Sequence, residues 1–242
     1  MRNTLRKVVV PLILGTLFFP TDSSLAAGKP VTKKATVSIA VLQAMESVAR
    51  LNLNSKYQSQ ILERLIKIHE TLLSTWATDI STAGVEEQAS AERKKVNLDE
   101  AWQSQISLQR SIVSKVGKQL ISAEKALVLI RVDASIETSS TRASKLSAWR
   151  GTYSRTKIEY AADLNHLTET KKEIESNLQL AKDDLSRALA NGESRTMGQM
   201  ALDSRIAQRE FNFKEWPFLR IQHKSDLALT NSFLLRALGA NS

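Results

Sequence analysis

Two consecutive stretches of the chain carry apolar residues at alternating steps of three and four. The seam of the first stretch is Trp102, Ile106, Gln109, Val113, Val116, Leu120, Ala123, Leu127, Ile130 and Ala134, and that of the second is Leu146, Arg150, Tyr153, Lys157, Tyr160, Leu164, Leu167, Lys171, Ile174, Leu178, Ala181, Leu185 and Ala188. A repeat of 3.5 residues is typical of helices that wind around each other. The polar segment 135–141 separates the stretches and favours a turn. We therefore predict a long antiparallel coiled-coil hairpin over about residues 96–190.

The segment before this hairpin is also patterned for helix. A first helix is expected from Val37, with Asn52 and Asn54 interrupting it or marking a turn because their side chains bond back to the local backbone. The next helix carries two neighbouring seams and ends near Gly84. One seam is Ile61, Leu65, Ile68 and Leu72, and the other is Leu62, Ile66, Leu73, Trp76 and Ile80. Such a broad apolar face predicts a helix that packs against two partners.

Beyond the hairpin, the sequence predicts two shorter helices. Asn191 and Gly192 end the second arm, and helices are expected over about 195–213 and 222–238, with a break at Pro217. No segment shows the period-two alternation of a strand. The fold class predicted is all-α, an elongated helical bundle built on the hairpin, with the C-terminal helices (about 195–238) as a smaller appendage. Residues 37–242 are expected to form this single domain.

The N-terminus has the pattern of a cleavable export signal. Arg2, Arg6 and Lys7 precede an uncharged run from Val8 to Phe19, which is too short to span a bilayer comfortably. Small residues favour cleavage after Ala26, so residues 1–26 are interpreted as the signal peptide and residues 27–36 as a flexible leader. This interpretation predicts an exported protein of the bacterial periplasm or cell surface, with no transmembrane segment once the signal is removed.

Composition narrows the chemistry that this chain can carry. It has no cysteine, which excludes disulfides and thiolate metal sites, and its net charge is +9. The basic residues are scattered among acidic ones and are not interleaved with aromatic residues for base stacking. We therefore expect a mildly basic surface and no specific nucleic-acid partner.

No set of residues has the spacing of a catalytic or metal site. His69, His166 and His223 lie in three different segments, and no glycine-rich phosphate loop or nucleophile elbow occurs. The paired carboxylates at residues 86–87 and 183–184 are interpreted as solvated charges. The sequence therefore predicts a protein that is not an enzyme, with no catalytic residue, no metal ligand and no cofactor.

Two groups of residues are candidates for contact with a partner. Arg150, Lys157 and Lys171 interrupt the second seam, where long basic side chains either reach out to water or leave a face open for another protein. Phe211, Phe213, Trp216 and Phe218 lie close together near the C-terminus. These aromatic residues either form a small core against residues 41–80 or are exposed as a docking patch.

An export signal followed by long helices with a smaller helical appendage is similar to the layout of the minor pilin family, which caps type IV secretion and conjugation pili. That resemblance implies a non-enzymatic assembly component of a bacterial surface or type IV secretion apparatus, whose partners are other exported or envelope proteins or further copies of itself. Two alternatives remain open on the residues alone. One is a periplasmic chaperone or scaffold with a coiled-coil hairpin, and the other is a basic surface adhesin.

Overall fold

The computed structural model describes residues 39–129, 139–191 and 195–237, and all of these belong to one compact unit. Their secondary structure is α1 (Ile39–Thr82), α2 (Val85–Leu129), α3 (Ser139–Ala190), α4 (Arg195–Glu210), a π-helical turn (Phe211–Glu215) and α5 (Trp216–Ala237). The predicted all-α bundle is confirmed, and no strand occurs in these ranges. The predicted signal peptide, the leader and most of the predicted loop 135–141 lie outside the described residues.

Helices α1 and α2 form a long antiparallel hairpin. A turn at Ala83 and Gly84 joins them, closed by a hydrogen bond from the Ala83 N–H to the Ile80 carbonyl (3.1 Å). The 44 residues of α1 are uninterrupted, so the break predicted near Asn52 is wrong. Asn54 stays within the helix, and its side chain accepts a hydrogen bond from Gln58 one turn later (3.3 Å). At ~1.5 Å per residue, each arm is ~65 Å long.

The two seams predicted to face each other have different partners. Helix α2 packs along α1, whereas α3 packs along α5, α4 and the π turn. The predicted pairing of α2 with α3 is therefore wrong. The physical reason for the different pairing lies in α1. Both of its apolar seams must be covered, and α2 packs on one side of it while α4 and α5 pack on the other. The expectation that this helix has two partners is confirmed.

The main core lies where α1, α2, α4 and α5 meet. Its largest fully buried side chains are those of Leu65, Trp76, Ile106 and Met200. Among the described residues, the buried members of this cluster are Ile61, Leu65, Leu72, Trp76, Ile80, Ala91, Trp102, Ile106, Met200, Phe211 and Leu219. No described side chain of α3 is among them. A second, smaller cluster joins Leu42 of α1 to Trp149 of α3 and to Leu234 and Leu235 of α5.

Between residues 146 and 174, helix α3 buries every second member of the predicted seam and exposes the others, and beyond residue 174 the predicted positions are again the less exposed ones. The less exposed positions include Leu146, Trp149, Tyr153, Thr156, Tyr160, Asp163, Leu167, Thr170 and Ile174, whereas Arg150, Lys157 and Lys171 are exposed. A seam with a 3.5-residue repeat can step by three and then four, or by four and then three. Apolar residues seven positions apart fit both patterns, so they do not show which intervening residues are buried. In the positions that replace the exposed seam residues, polar side chains such as Thr156, Asp163 and Thr170 are turned away from solvent because their polar groups find hydrogen-bond or ion-pair partners. The Thr170 hydroxyl, for example, donates to the His166 carbonyl (2.7 Å).

Four charged side chains fasten α3 to α5. Asp163, with 13% of its side chain exposed, accepts a hydrogen bond from Arg220 (3.1 Å) and forms an ion pair with Lys224 (2.8 Å). Glu159 lies 3.6 Å from the same Lys224 ammonium. The two acidic and two basic groups neutralise each other, so the buried Asp163 carboxylate is compensated. We call these four residues the α3–α5 ion cluster.

Proline 217 does not interrupt the chain of helices. The π turn ends in a hydrogen bond from the Trp216 N–H to the Phe211 carbonyl, and α5 begins at Trp216. A proline within the first turn of a helix is tolerated because its missing N–H would have no partner in that helix. The π turn before Pro217 is wider than an α-helical turn and leaves room for the proline ring, which would clash with the carbonyl one turn earlier in a regular α-helix. The break predicted at Pro217 is therefore a π turn.

Two leucines test the assignment of the core. Leu65 is 2% exposed in the main core and Leu164 on α3 is 43% exposed. We expect Leu65→Ala to lower the free energy of unfolding by about 2–5 kcal/mol because it leaves a cavity. Leu164→Ala should cost less than about 1 kcal/mol. Urea unfolding followed by circular dichroism measures both, and equal losses would contradict the assignment.

A second pair of variants tests how α3 is held. Asp163→Asn removes the charge on which Arg220 and Lys224 converge, and we expect a loss of about 1–3 kcal/mol in the free energy of unfolding. Asp183→Asn is the matched control, since Asp183 is exposed on the same helix; its effect should stay within about 0.5 kcal/mol. Amide hydrogen exchange should accelerate along α3 in the first variant only. Indistinguishable variants would show that the ion cluster does not hold α3.

Candidate functional site

A groove lies between α1 and α3, with α5 as its floor. Helices α1 and α3 run parallel here, because each is antiparallel to α5. The cavity measures about 430 Å³, within the range of ~300–1,000 Å³ common for binding sites. Its lining is Leu53, Lys56, Tyr57 and Gln60 from α1, Tyr160, Leu164 and Leu167 from α3, and Phe218, Ile221, Gln222, His223, Ser225 and Asp226 from α5. We call it the α1–α3 groove.

Aromatic rings hold one another in place along one side of this groove. The Tyr57 and His223 rings stack with centroids 4.8 Å apart and an interplanar angle of 9°. The indole N–H of Trp216 donates to the Tyr57 hydroxyl at 2.7 Å. Because each ring is bound at its face or its polar edge, the groove presents fixed aromatic surface.

Burial in the groove changes the pKa values of both stacked groups. Burial raises the pKa of the Tyr57 phenol above its ordinary value of 10.0, although the hydrogen bond from Trp216 partly opposes it. Burial lowers the pKa of His223, and the nearby Asp226 carboxylate acts in the opposite direction. Both groups are therefore held more firmly in their neutral forms, which suits a groove that receives apolar side chains.

The predicted aromatic candidates divide between core and surface. Phe211 is buried, at 2% exposure, and its ring stacks with that of Trp216 at 6.4 Å. Phe213, Trp216 and Phe218 are 37%, 46% and 53% exposed. Of these three exposed residues, Phe218 lines the α1–α3 groove, and Trp216 reaches its wall through Tyr57. Phe211 is therefore part of the core against α1, as one alternative predicted, and the other three residues are exposed.

The predicted basic candidates form an exposed stripe on α3. Arg150, Lys157 and Lys171 lie at seven-residue multiples from Leu164, so all four share one side of the helix. Leu164 is a lining residue of the groove, and Lys157 and Lys171 flank it at ~10 Å in either direction along the helix. The Lys157 ammonium lies 4.9 Å from the centre of the Tyr153 ring. These residues do not interrupt the buried seam, and they follow the wall of the groove.

A second depression continues along the same side of α1. It measures about 290 Å³ and includes Arg64 and Lys67 of α1 together with Glu210 and Glu215 across from them. Arg64 and Glu215 come within 3.9 Å of each other. The side of α1 that lines the α1–α3 groove therefore continues into a charged surface over α4 and the π turn.

Two further titratable groups outside the groove, His69 and Asp203, have partners within the fold. The buried His69 lies with its Nε2 atom 2.6 Å from Asp99 Oδ1, joining α1 to α2. Burial raises the pKa of Asp203 above its usual range; a hydrogen bond from Gln199 opposes this shift, and the charge of Asp79 adds to it. Within the described ranges, no three histidine, aspartate or glutamate side chains come together in a way that could hold a metal ion.

Several groove residues were not singled out from the sequence. Tyr57 lies four residues before Ile61 and so extends an apolar seam, a position at which an aromatic residue indicates packing. His223 does not have the spacing of a metal ligand, and a helical histidine of this kind indicates no more than packing. Tyr160 and Leu167 belong to the seam that the sequence predicts to face α2. Only the partnership between α1, α3 and α5 brings these residues together, and no local signal marks it.

Comparisons of the chain with protein-family models, with curated proteins and with solved structures gave no match. None of the described helices combines the length and apolar character needed to cross a membrane.

The titration of His223 tests the geometry of the groove. We expect its imidazole to titrate below 6.5, the ordinary value, and Asp226→Asn to lower the midpoint further because a favourable negative charge is lost. As the pH falls through the ordinary value, the unfolded chain takes up the proton first. The contribution of this group to stability is therefore present above that pH and lost below it. Side-chain NMR titration gives the midpoint; a value above 6.5, or an upward shift in the variant, would contradict this geometry.

Proposed function

We propose that this protein is a non-enzymatic, exported interaction component of a bacterial surface or secretion apparatus, and that it binds a partner protein through the α1–α3 groove and the aromatic residues beside it. The type IV secretion apparatus is the specific setting suggested by the layout of the chain. The observation that carries the proposal is the solvent exposure of the Trp216 and Phe218 side chains. Both are about half exposed, although the surrounding contacts hold their helix in one position.

Exposed aromatic side chains on a rigid element are typical of protein-binding surfaces. Burying such a side chain at an interface is favourable, and little conformational entropy is lost because the ring is already ordered. Trp216 is ordered by its hydrogen bond to Tyr57 and its stacking on Phe211. Phe218 follows it by two residues in the first turn of α5. These features support a surface that is complete before the partner arrives.

The lining of the groove also supports binding over chemistry. The lining combines apolar groups with hydrogen-bonding groups such as those of Gln60, Tyr160 and Gln222. This mixture suits a polypeptide, whose side chains need apolar contact and whose polar edges need partners. The neutral forms favoured for Tyr57 and His223 are consistent with the same use.

Site-specific photo-crosslinking in the native cell tests this proposal. A photoreactive phenylalanine analogue at Phe218 should yield one defined crosslinked protein of the cell envelope, identified by mass spectrometry. Phe233 is the matched control, because it lies on the same helix with 51% exposure against 53% for Phe218 and does not line the groove.

Three outcomes decide the matter. A discrete envelope partner captured from position 218 and not from position 233 supports the proposal. Equal capture from both positions, or none from position 218, would overturn it. Fractionation of the crosslinked product adds the setting: material released by shearing places the complex on a surface assembly, whereas release with the periplasm favours a chaperone or scaffold.

A further inference from the structure

We propose that the segment bound in the α1–α3 groove is one amphipathic helix of the partner, with an apolar stripe directed into the groove and acidic residues along the edge that faces α3. This inference rests on the proposed function and specifies the chemistry of its partner. It is carried by the shape of the groove and by the arrangement of charge along its walls.

The shape favours a helix as occupant. Two parallel helices, α1 and α3, form the walls, and α5 forms the floor. A fourth helix lying along them would place residues at steps of three and four in contact with the floor. The apolar lining that such a helix would meet, Leu53, Leu164, Leu167, Phe218 and Ile221, extends along the groove and comes from all three elements.

The charge favours acidic residues on that helix. Lys157 and Lys171 flank Leu164 on the α3 wall, and Arg150 continues the same stripe. On the α1 wall, the Lys56 side chain is 60% exposed and only loosely bound to Asp226, at 3.4 Å. The α3 stripe itself contains no acidic residue, since its members at seven-residue spacing from Arg150 to Leu185 are basic or leucine.

Most acidic groups on the α1 and α5 sides of the groove, and those at the contact of α3 with α5, are already paired with basic ones. Asp226 is engaged with Lys56, and Glu215 faces Arg64 across the second depression. Glu63 is exposed on α1 and is not among the residues that line the groove. Glu159 and Asp163 are held by Lys224 in the α3–α5 ion cluster. A negatively charged edge would therefore meet Lys157 and Lys171 on α3, whereas Lys56 on α1 is already shared with Asp226, and this difference would orient the bound helix.

Synthetic helices provide the test with the full-length chain. The first probe is a fluorescent peptide of about 20 residues, ~30 Å long, with leucine and phenylalanine at steps of three and four and glutamate along one edge. The second carries lysine in place of each glutamate, and the third is a scrambled version of the first. We expect the acidic helix to bind about tenfold or more tightly than the basic one, because charges of like sign oppose each other across an interface. The scrambled peptide should bind weakly.

Charge reversal on α3 assigns the binding to the groove. The double variant Lys157→Glu with Lys171→Glu should lose about tenfold or more in affinity for the acidic helix and gain affinity for the basic one. The matched control, Lys172→Glu with Lys182→Glu, reverses two exposed lysines of the same helix that lie outside this stripe. It should leave both affinities within about twofold. Circular dichroism of each variant establishes that the fold is retained.

Other occupants are outcomes that overturn the inference. Equal affinity for the acidic and basic helices, or equal effects of the two double variants, would remove the charge argument. Concentration-dependent dimers in sedimentation that disappear with the Lys157 and Lys171 reversal would make a second copy of this chain the occupant. Binding of a DNA oligonucleotide that depends on the same two lysines, without binding of the acidic helix, would make it a polyanion.

The proposed function and this inference can fail separately. If crosslinking from Phe218 captures an envelope protein that has no acidic amphipathic helix, the interaction role stands and the inference falls. If the acidic helix binds in vitro and no partner is captured in the cell, the groove chemistry stands and the proposed function falls.

Discussion

The arrangement of the helices depends on one constraint, which is that α1 has apolar residues on two adjacent sides. Neither side can stay in water without losing the free energy of burial that stabilises a helix of this length. Helix α2 covers one side at once, because a turn of two residues returns the chain directly along α1. The other side then has to be covered by residues far away in sequence, and Met200, Phe211 and Leu219 do so. The positions of α4, the π turn and α5 follow from that requirement.

Helix α3 is left with a different kind of interface. It follows α4 and α5 antiparallel, and Gly198 allows a close approach there: a Cβ atom at that position would lie 2.8 Å from a methyl group of Leu185. Farther along, the contact is made by Thr156, Asp163 and Thr170, whose polar groups are satisfied within α3 or by α5. Since α3 packs on α5 and not closely on α1, a gap remains between α1 and α3. The groove is the direct result of this unequal packing.

The sequence predicted the helical content and several boundaries because those properties are local. Gly84 and Asn191 mark helix ends that depend on their own backbone preferences, and the structure places the ends there. The seam of α2 from Trp102 onward was also assigned to the correct side of that helix. The partner of that seam could not be inferred, since an apolar stripe accepts any complementary surface.

The buried positions of α3 between residues 146 and 174 were only half predicted, for a related reason. Arg150, Lys157 and Lys171 seemed to belong to the seam because Leu164 and Leu178 occupy the same heptad position. Whether a polar residue such as Asp163 can be buried depends on Arg220 and Lys224, some 60 residues later in the chain. The groove could not be predicted for the same reason, because its lining comes from three segments and none of them alone indicates a binding site. Where the local pattern allows two sides of a helix to be buried, contacts with distant segments of the chain decide between them.

The α3–α5 ion cluster has a further consequence for the groove. Dissolved ions screen charge pairs that are open to water and leave apolar packing intact, and Glu159 and Arg220 are about half exposed. The wall formed by α1 packs on the main core and has the Lys56–Asp226 and Arg64–Glu215 pairs at its surface, whereas the middle of α3 depends more on the ion cluster. We therefore expect the α3 wall to respond more strongly to ionic strength than the α1 wall, so that the width of the groove depends on the surrounding medium.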